Sequence, residues 1–252
     1  HQFKLPWIKY PLVLLVVGAI GIGNAAYESG NLTGAALGLN NIVALGIGPW
    51  GGVMGGLAAI LLWRGKYQLI ENVLVALVAI MALVFVVTFA VSEPDWSGML
   101  SQITDPVINT ESLTTILALI GTTIVPYNLF LHASLIARQQ QEHSQPASEY
   151  RRQSGIAIGL GGLITLVIMA TAMQTFFGQA DALNAGNLAA QLAPLLGPYA
   201  EVFFAMGMFA AGLTSAITAP LAAAYAVCGA LNKPTDLTSV WFRAVWGIVL
   251  VA

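Results

Sequence analysis

Apolar runs long enough to cross a bilayer recur along this chain, and basic residues occur only in every second gap between them. A spanning helix needs roughly 20 apolar residues, because each adds about 1.5 Å against about 30 Å of hydrocarbon. Six complete segments and the start of a seventh are predicted, near 11–39, 48–63, 68–91, 113–137, 154–177, 198–230 and 240 onward. Only 8% of the residues are charged and 58% are hydrophobic, with a mean hydropathy of +0.80. A soluble domain carries about 25% charged residues to face water, so most of this surface must face lipid. Backbone groups in lipid have to be satisfied within the segment itself. The expected fold is therefore all-α, a polytopic membrane helical bundle forming a single transmembrane domain over residues 1–252.

The gaps fix an orientation. Lys4 and Lys9 precede the first segment, and Arg64 and Lys66 follow the second. Arg138, Arg151 and Arg152 lie between the fourth and fifth, and Lys233 and Arg243 flank the last connection. The alternate connections hold acids instead, among them Glu93, Asp95, Asp105, Glu111 and Asp181. Basic residues stay on the cytoplasmic side, so the first residues are expected inside and the acidic loops outside. The net charge of −2 gives no basic surface for nucleic acid. The lone Cys228 excludes a disulfide within the chain and is expected simply to pack. The chain starts at His1 and stops inside the apolar run Trp246–Ala252, so it is expected to be an internal piece of a longer protein. The second segment, with Gly48, Gly51, Gly52, Gly55 and Gly56, is expected to be an interior helix, since small residues let backbones approach closely.

The fourth segment carries the most chemistry. It reads Gly121-Thr122-Thr123-Ile124-Val125-Pro126-Tyr127-Asn128-Leu129-Phe130-Leu131-His132. Pro126 has no N–H and its ring clashes with the carbonyl of residue 122. The Thr122 carbonyl therefore loses its helical partner near the middle of the bilayer. Two readings follow: a plain proline kink, or an unwound turn whose freed oxygens coordinate a cation, as in transporters with discontinuous helices. Thr122, Thr123, Asn128 and His132 crowd polar groups around the break and favour the second.

The first segment holds Asn24, Tyr27, Glu28, Asn31 and Thr33 among apolar residues. A carboxyl group at that depth must be paired, protonated or facing water. Glu28 is read either as part of a proton or cation path or as a structural acid bonded to a neighbouring helix. Helical spacing puts Glu28 and Asn31 on one face. In the sixth segment, Gly212-Leu213-Thr214-Ser215-Ala216-Ile217-Thr218-Ala219-Pro220 reads best as close helix packing. No phosphate-binding glycine loop, His-Glu-x-x-His or nucleophile elbow occurs, so no enzyme chemistry is read here.

The stretch from Gly121 to His132 resembles the sixth transmembrane helix of the Nramp divalent-metal transporters, whose motif reads Gly-Ala-x-[Ile/Val]-Met-Pro-His-Asn-Leu-Tyr-Leu-His-Ser. Gly121, Pro126, Asn128, Leu129, Leu131 and His132 are in register with it. Gly34 to Asn40 is similar to the family's third helix, residues 64–71 to the loop entering its fifth, and residues 210–219 to its eighth. The resemblance covers the family's third helix to the start of its ninth. It implies a fragment of a leucine-transporter-type inverted-repeat fold, in a bacterial-type inner membrane. It also implies transport of divalent cations such as magnesium, manganese or iron. The ion would be cargo, with no cofactor, no nucleic-acid partner and no obligate protein partner. The same fold also serves sodium- or proton-coupled carriers of amino acids or organic cations, which is the second reading.

The resemblance implies site residues as well. In the family an Ala carbonyl and a Met thioether of the sixth helix bind the metal; Thr122 and Val125 stand at those positions here. Thr122 would offer its carbonyl and its hydroxyl, while the sulfur ligand is lost at Val125. Oxygen-only sites suit magnesium and manganese better than softer metals, which is similar to the magnesium-carrying branch of the superfamily. Pro126 and Asn128 would form and hold the unwound turn. Tyr127 stands where the family has a His beside the Pro, and His132 keeps the second His. Glu28 stands at the third-helix Asp used for protons and Asn31 at the Glu one turn on. Glu28, Asn31, Tyr127 and His132 would then line the ion or proton path, with proton coupling weakened where an amide replaces a carboxylate.

Overall fold

The computed structural model describes residues 6–64, 68–94, 96–104, 110–123, 125, 129, 132–133, 136, 146–176 and 187–252. Among them the secondary structure is helical: α1 (Pro6–Ile42), α2 (Ile47–Arg64), α3 (Gln68–Val91), α4 (Trp96–Thr104), α5 (Thr110–Thr123), α6 (Ala147–Phe176), α7 (Ala200–Ala230) and α8 (Val240–Val251). Short turns at Leu188–Leu192, Ala193–Leu196 and Gly197–Tyr199 lead into α7. Three stretches are long and apolar enough to cross a membrane, Val13–Ile42, Ser148–Phe176 and Leu188–Ala230, beside shorter apolar helices at Val75–Val91, Ser112–Thr122 and Val240–Val251. Large apolar side chains point outward, with Ile22 at 76% exposure and Ile158 at 75%. Such surfaces are unusual on a soluble monomer and natural against lipid.

The core is built on α7. Its most extensive partner is α1, and α8, α3 and α2 pack on it as well. Ala35 of α1, Met54 and Leu62 of α2, Ala216 of α7 and Phe242 of α8 are buried together. Alanine and glycine dominate the α1–α7 seam, where small side chains let the two backbones come close and gain dispersion contacts. At Gly212 an added Cβ would lie 2.9 Å from the Asn31 carbonyl oxygen and 3.1 Å from Ala35 Cα. Cys228 is buried in this core. A second cluster joins Phe85 of α3 to Leu192, Ala200 and Phe204.

Three features differ from the sequence expectations. Helix α2 is packed on one side only: Met54, Ala58 and Leu62 are buried, yet Cβ atoms at Gly48, Gly51, Gly52 and Gly56 would meet nothing within 4 Å. The connection read as loop between the third and fourth segments contains α4. Helix α6 begins at Ala147, seven residues before its apolar run, because Glu149 in its first turn accepts from Arg152 at 2.8 Å and from Gln153 at 3.1 Å. A carboxylate there also meets the positive end of the helix dipole. Between α1 and α2 the chain turns through Gly46, whose φ of +100° few other residues adopt, and its N–H donates to Asn40 Oδ1 at 2.7 Å.

Candidate functional site

The predicted break and the polar side chains of α1 meet on α7. Helix α5 is described from Thr110 to Thr123. Val125 is not helical, and it is buried against Ala219 and Ala222 of α7 with Tyr27 of α1 alongside. Helical residues recur at 129, 132, 133 and 136. A helix end leaves its last four carbonyls without intrahelical donors, and Gly121 lies in the last described turn before non-helical Val125. One of them is taken by α1, because the Tyr27 hydroxyl donates to the Gly121 carbonyl at 2.8 Å. Pro126, Tyr127, Asn128 and the Thr123 side chain lie outside the described residues.

Thr122 is exposed, and its hydroxyl donates back to the Leu119 carbonyl at 3.0 Å. That proton is spent inside α5, so the oxygen can offer only its remaining lone pairs outward. Glu28 is 1% exposed. Its Oε2 accepts a long bond of 3.4 Å from Asn31 Nδ2, and Oε1 is buried without a hydrogen-bond partner. Glu28 and Asn31 therefore share a face, as their spacing implied. His132 is exposed and turned to α6, where its ring nitrogen Nε2 shares a hydrogen bond of 2.8 Å with Ser154 Oγ.

Asn24 and Tyr27 carry contacts that the residue types alone did not announce. Asn24 is buried and donates from Nδ2 to the Ala219 carbonyl at 3.1 Å, a link across 195 residues. Asn24 lies one turn from Glu28 and Tyr27 directly beside it, and that local polar cluster is the hint the sequence offers. The hydroxyls of the sixth segment behave as the packing interpretation expected. Thr214 Oγ1 donates to Ala210 O at 2.8 Å and Thr218 Oγ1 to Thr214 O at 2.7 Å, both within α7. Among the described residues, no three His, Cys, Asp or Glu side chains cluster as a metal cage. The oxygen-bearing groups gathered at this point are instead main-chain carbonyls, amides, a phenol and one carboxyl group.

Comparison with known proteins gives this arrangement a family. The profile described as natural resistance-associated macrophage protein-like, Nramp, matches residues 1–252. The chain is 28% identical over 226 residues to the divalent metal cation transporter MntH of Agrobacterium fabrum, covering 84% of this chain and 48% of that protein. It is 30% identical over 187 residues to the MntH of Bradyrhizobium diazoefficiens, covering 69% and 41%. It is 25% identical over 179 residues to the metal transporter nramp1 homolog of Dictyostelium discoideum, covering 68% and 34%. The chain thus spans about half the length of the bacterial MntH relatives it matches. With a family match from its first residue to its last, and apolar helices able to cross a bilayer, this multi-pass integral membrane chain belongs to the Nramp family.

Proposed function

We propose that the protein to which this chain belongs carries divalent cations, magnesium or manganese foremost, across a bacterial inner membrane as an Nramp-type secondary transporter. The observation that carries the reading is non-helical Val125, just past the described part of α5 and buried against α7. Main-chain oxygens released at such a break suit an ion that prefers oxygen ligands. In this reading the Thr122 carbonyl is a ligand and Pro126 and Asn128 shape the turn. Glu28, Asn31, Tyr127 and His132 serve the path to the site. Rocking of helix groups about the break then exposes the ion to one side at a time. The reading is of a transporter, with the ion as cargo, and not of an enzyme.

The test is ion flux into proteoliposomes holding the full-length protein, with magnesium and manganese offered separately. Uptake of at least one is expected, and uptake of neither would end the proposal. The apolar branch at Val125 supplies no donor atom, so the site is expected to discriminate little in favour of soft metals. Val125→Met puts a thioether at that place, and soft donors favour softer cations. The variant is expected to raise manganese or cadmium uptake relative to magnesium by about tenfold, equivalent to roughly 1.4 kcal/mol in relative binding. An unchanged ratio would remove Val125 from the coordination shell.

A further inference from the structure

Helix α5 ends in four carbonyls that the helix itself cannot satisfy, and only some of them can serve an ion at once. Successive carbonyls in an α-helix are rotated by about 100°, so a loose terminus would present several oxygens in interchangeable geometries. Here one is already engaged. The Tyr27 hydroxyl donates to the Gly121 carbonyl at 2.8 Å, joining residues 94 apart in sequence. The Tyr27 ring packs beside Val125, Ala219 and Ala222, so the phenol is held from both sides of the break. One turn earlier on the same helix, Asn24 donates to the Ala219 carbonyl at 3.1 Å. Residues three apart share a helix face, and these two side chains tie α1 at once to the α7 backbone and to the end of α5.

We infer that Tyr27 is a positioning residue for the ion site: its hydroxyl occupies the Gly121 carbonyl and fixes the last turn of α5, leaving the neighbouring Thr122 carbonyl as the oxygen offered to the ion. This rests on the ion-binding reading above and adds to it a specificity device. A carbonyl that already accepts from a phenol is a weaker ligand than one that does not, and a terminal peptide held by that bond cannot swing. The consequence falls on ion choice. Magnesium demands near-ideal octahedral geometry at short distances, whereas calcium accepts six to eight ligands in flexible arrangements. A fixed set of oxygens therefore favours the smaller ion, and releasing the turn admits the larger one. Glu28 bonds instead to Asn31, and His132 to Ser154.

The test is Tyr27→Phe in the full-length protein in proteoliposomes, which keeps the ring and its packing and removes only the donor. One hydrogen bond of this kind is worth about a threefold to tenfold change in an equilibrium. The variant is expected to raise KM for magnesium by about that factor, keep kcat within about twofold, and lose discrimination against calcium. A structural role alone would lower the amount of active protein without moving KM or the magnesium-to-calcium ratio. Unchanged KM and unchanged ratio in Tyr27→Phe would overturn the inference, and so would a loss confined to kcat. A second variant guards against a folding defect. A fluorinated tyrosine at position 27 is a stronger donor in the same shape, and it is expected to shift KM for magnesium the opposite way. No shift with it also counts against Tyr27. The two levels of failure separate cleanly. Wild-type protein that carries no divalent cation defeats the ion reading itself, whereas wild-type uptake with an indifferent Tyr27→Phe defeats only the positioning role.

Discussion

Gly212→Ala is expected to destabilise the full-length protein by about 1–3 kcal/mol, and Gly212→Leu to abolish recovery of folded protein. The new Cβ would meet Ala35 Cβ, the Asn31 carbonyl oxygen at 2.9 Å and Ala35 Cα at 3.1 Å. Two of those are backbone atoms of α1, which cannot turn aside as a side chain can. The seam would have to widen along its length, losing dispersion contacts that hold helices together where lipid offers no hydrophobic drive. Gly207→Ala is the control. The three atoms nearest its Cβ would all belong to the Met81 side chain, Cγ, Cε and Sδ at 2.6 to 2.7 Å. Methionine is unbranched and re-packs readily, so this substitution is expected to cost less than half as much. Thermal melting followed by size-exclusion profile, in one detergent for all variants, reads the difference. Equal midpoints for the two alanine variants would mean that α1 and α7 are not pressed together at Gly212.

Glu28→Gln is expected to leave the fold intact while slowing uptake by about tenfold and flattening its dependence on pH. The carboxyl group is 1% exposed inside the α1 span. It has a single long bond of 3.4 Å from Asn31 and an Oε1 with no hydrogen-bond partner. An acid kept in that state adds little stability, because a buried oxygen without a partner loses its hydration for no return. On the proposed reading it exchanges a proton or attracts a passing cation. Glutamine has nearly the same shape and can do neither. Uptake rates across a pH series, wild type against Glu28→Gln, decide the matter. Two profiles of the same form and height would reduce Glu28 to a structural acid.

The helices were legible because their cause is local. Lipid on the outside demands apolar residues and internally bonded backbone, and both requirements are written in consecutive residues. Hence α2, α3 and α7 begin and end within two residues of the apolar segments read for them, and α8 begins where its segment does. Val125, just before Pro126, is not helical, in keeping with the interruption read there, but proline alone does not force a break, since Pro11 and Pro220 sit inside α1 and α7. Helix α4 was missed because it is short and only partly apolar, so length and hydropathy gave no signal. The face of α2 that carries Gly48, Gly51, Gly52 and Gly56 meets no other helix among the described residues, and the sequence named no partner for it. Small residues permit close approach without specifying which helix approaches.

Partner choice lies beyond the sequence for a physical reason. In a water-soluble helix the apolar stripe marks the buried face, but in a bilayer the lipid-facing and core-facing sides are both apolar. Nothing in α1 therefore announces that Asn24 would find Ala219, that Tyr27 would reach Gly121, or that Asn31 and Ala35 would press on Gly212. The residues by themselves determined that this chain lives in a membrane and where most of its apolar helices run. Only the tertiary structure decided which oxygens before Val125 are already engaged and which are left, because that depends on side chains brought in from helices 94 and 195 residues apart in sequence.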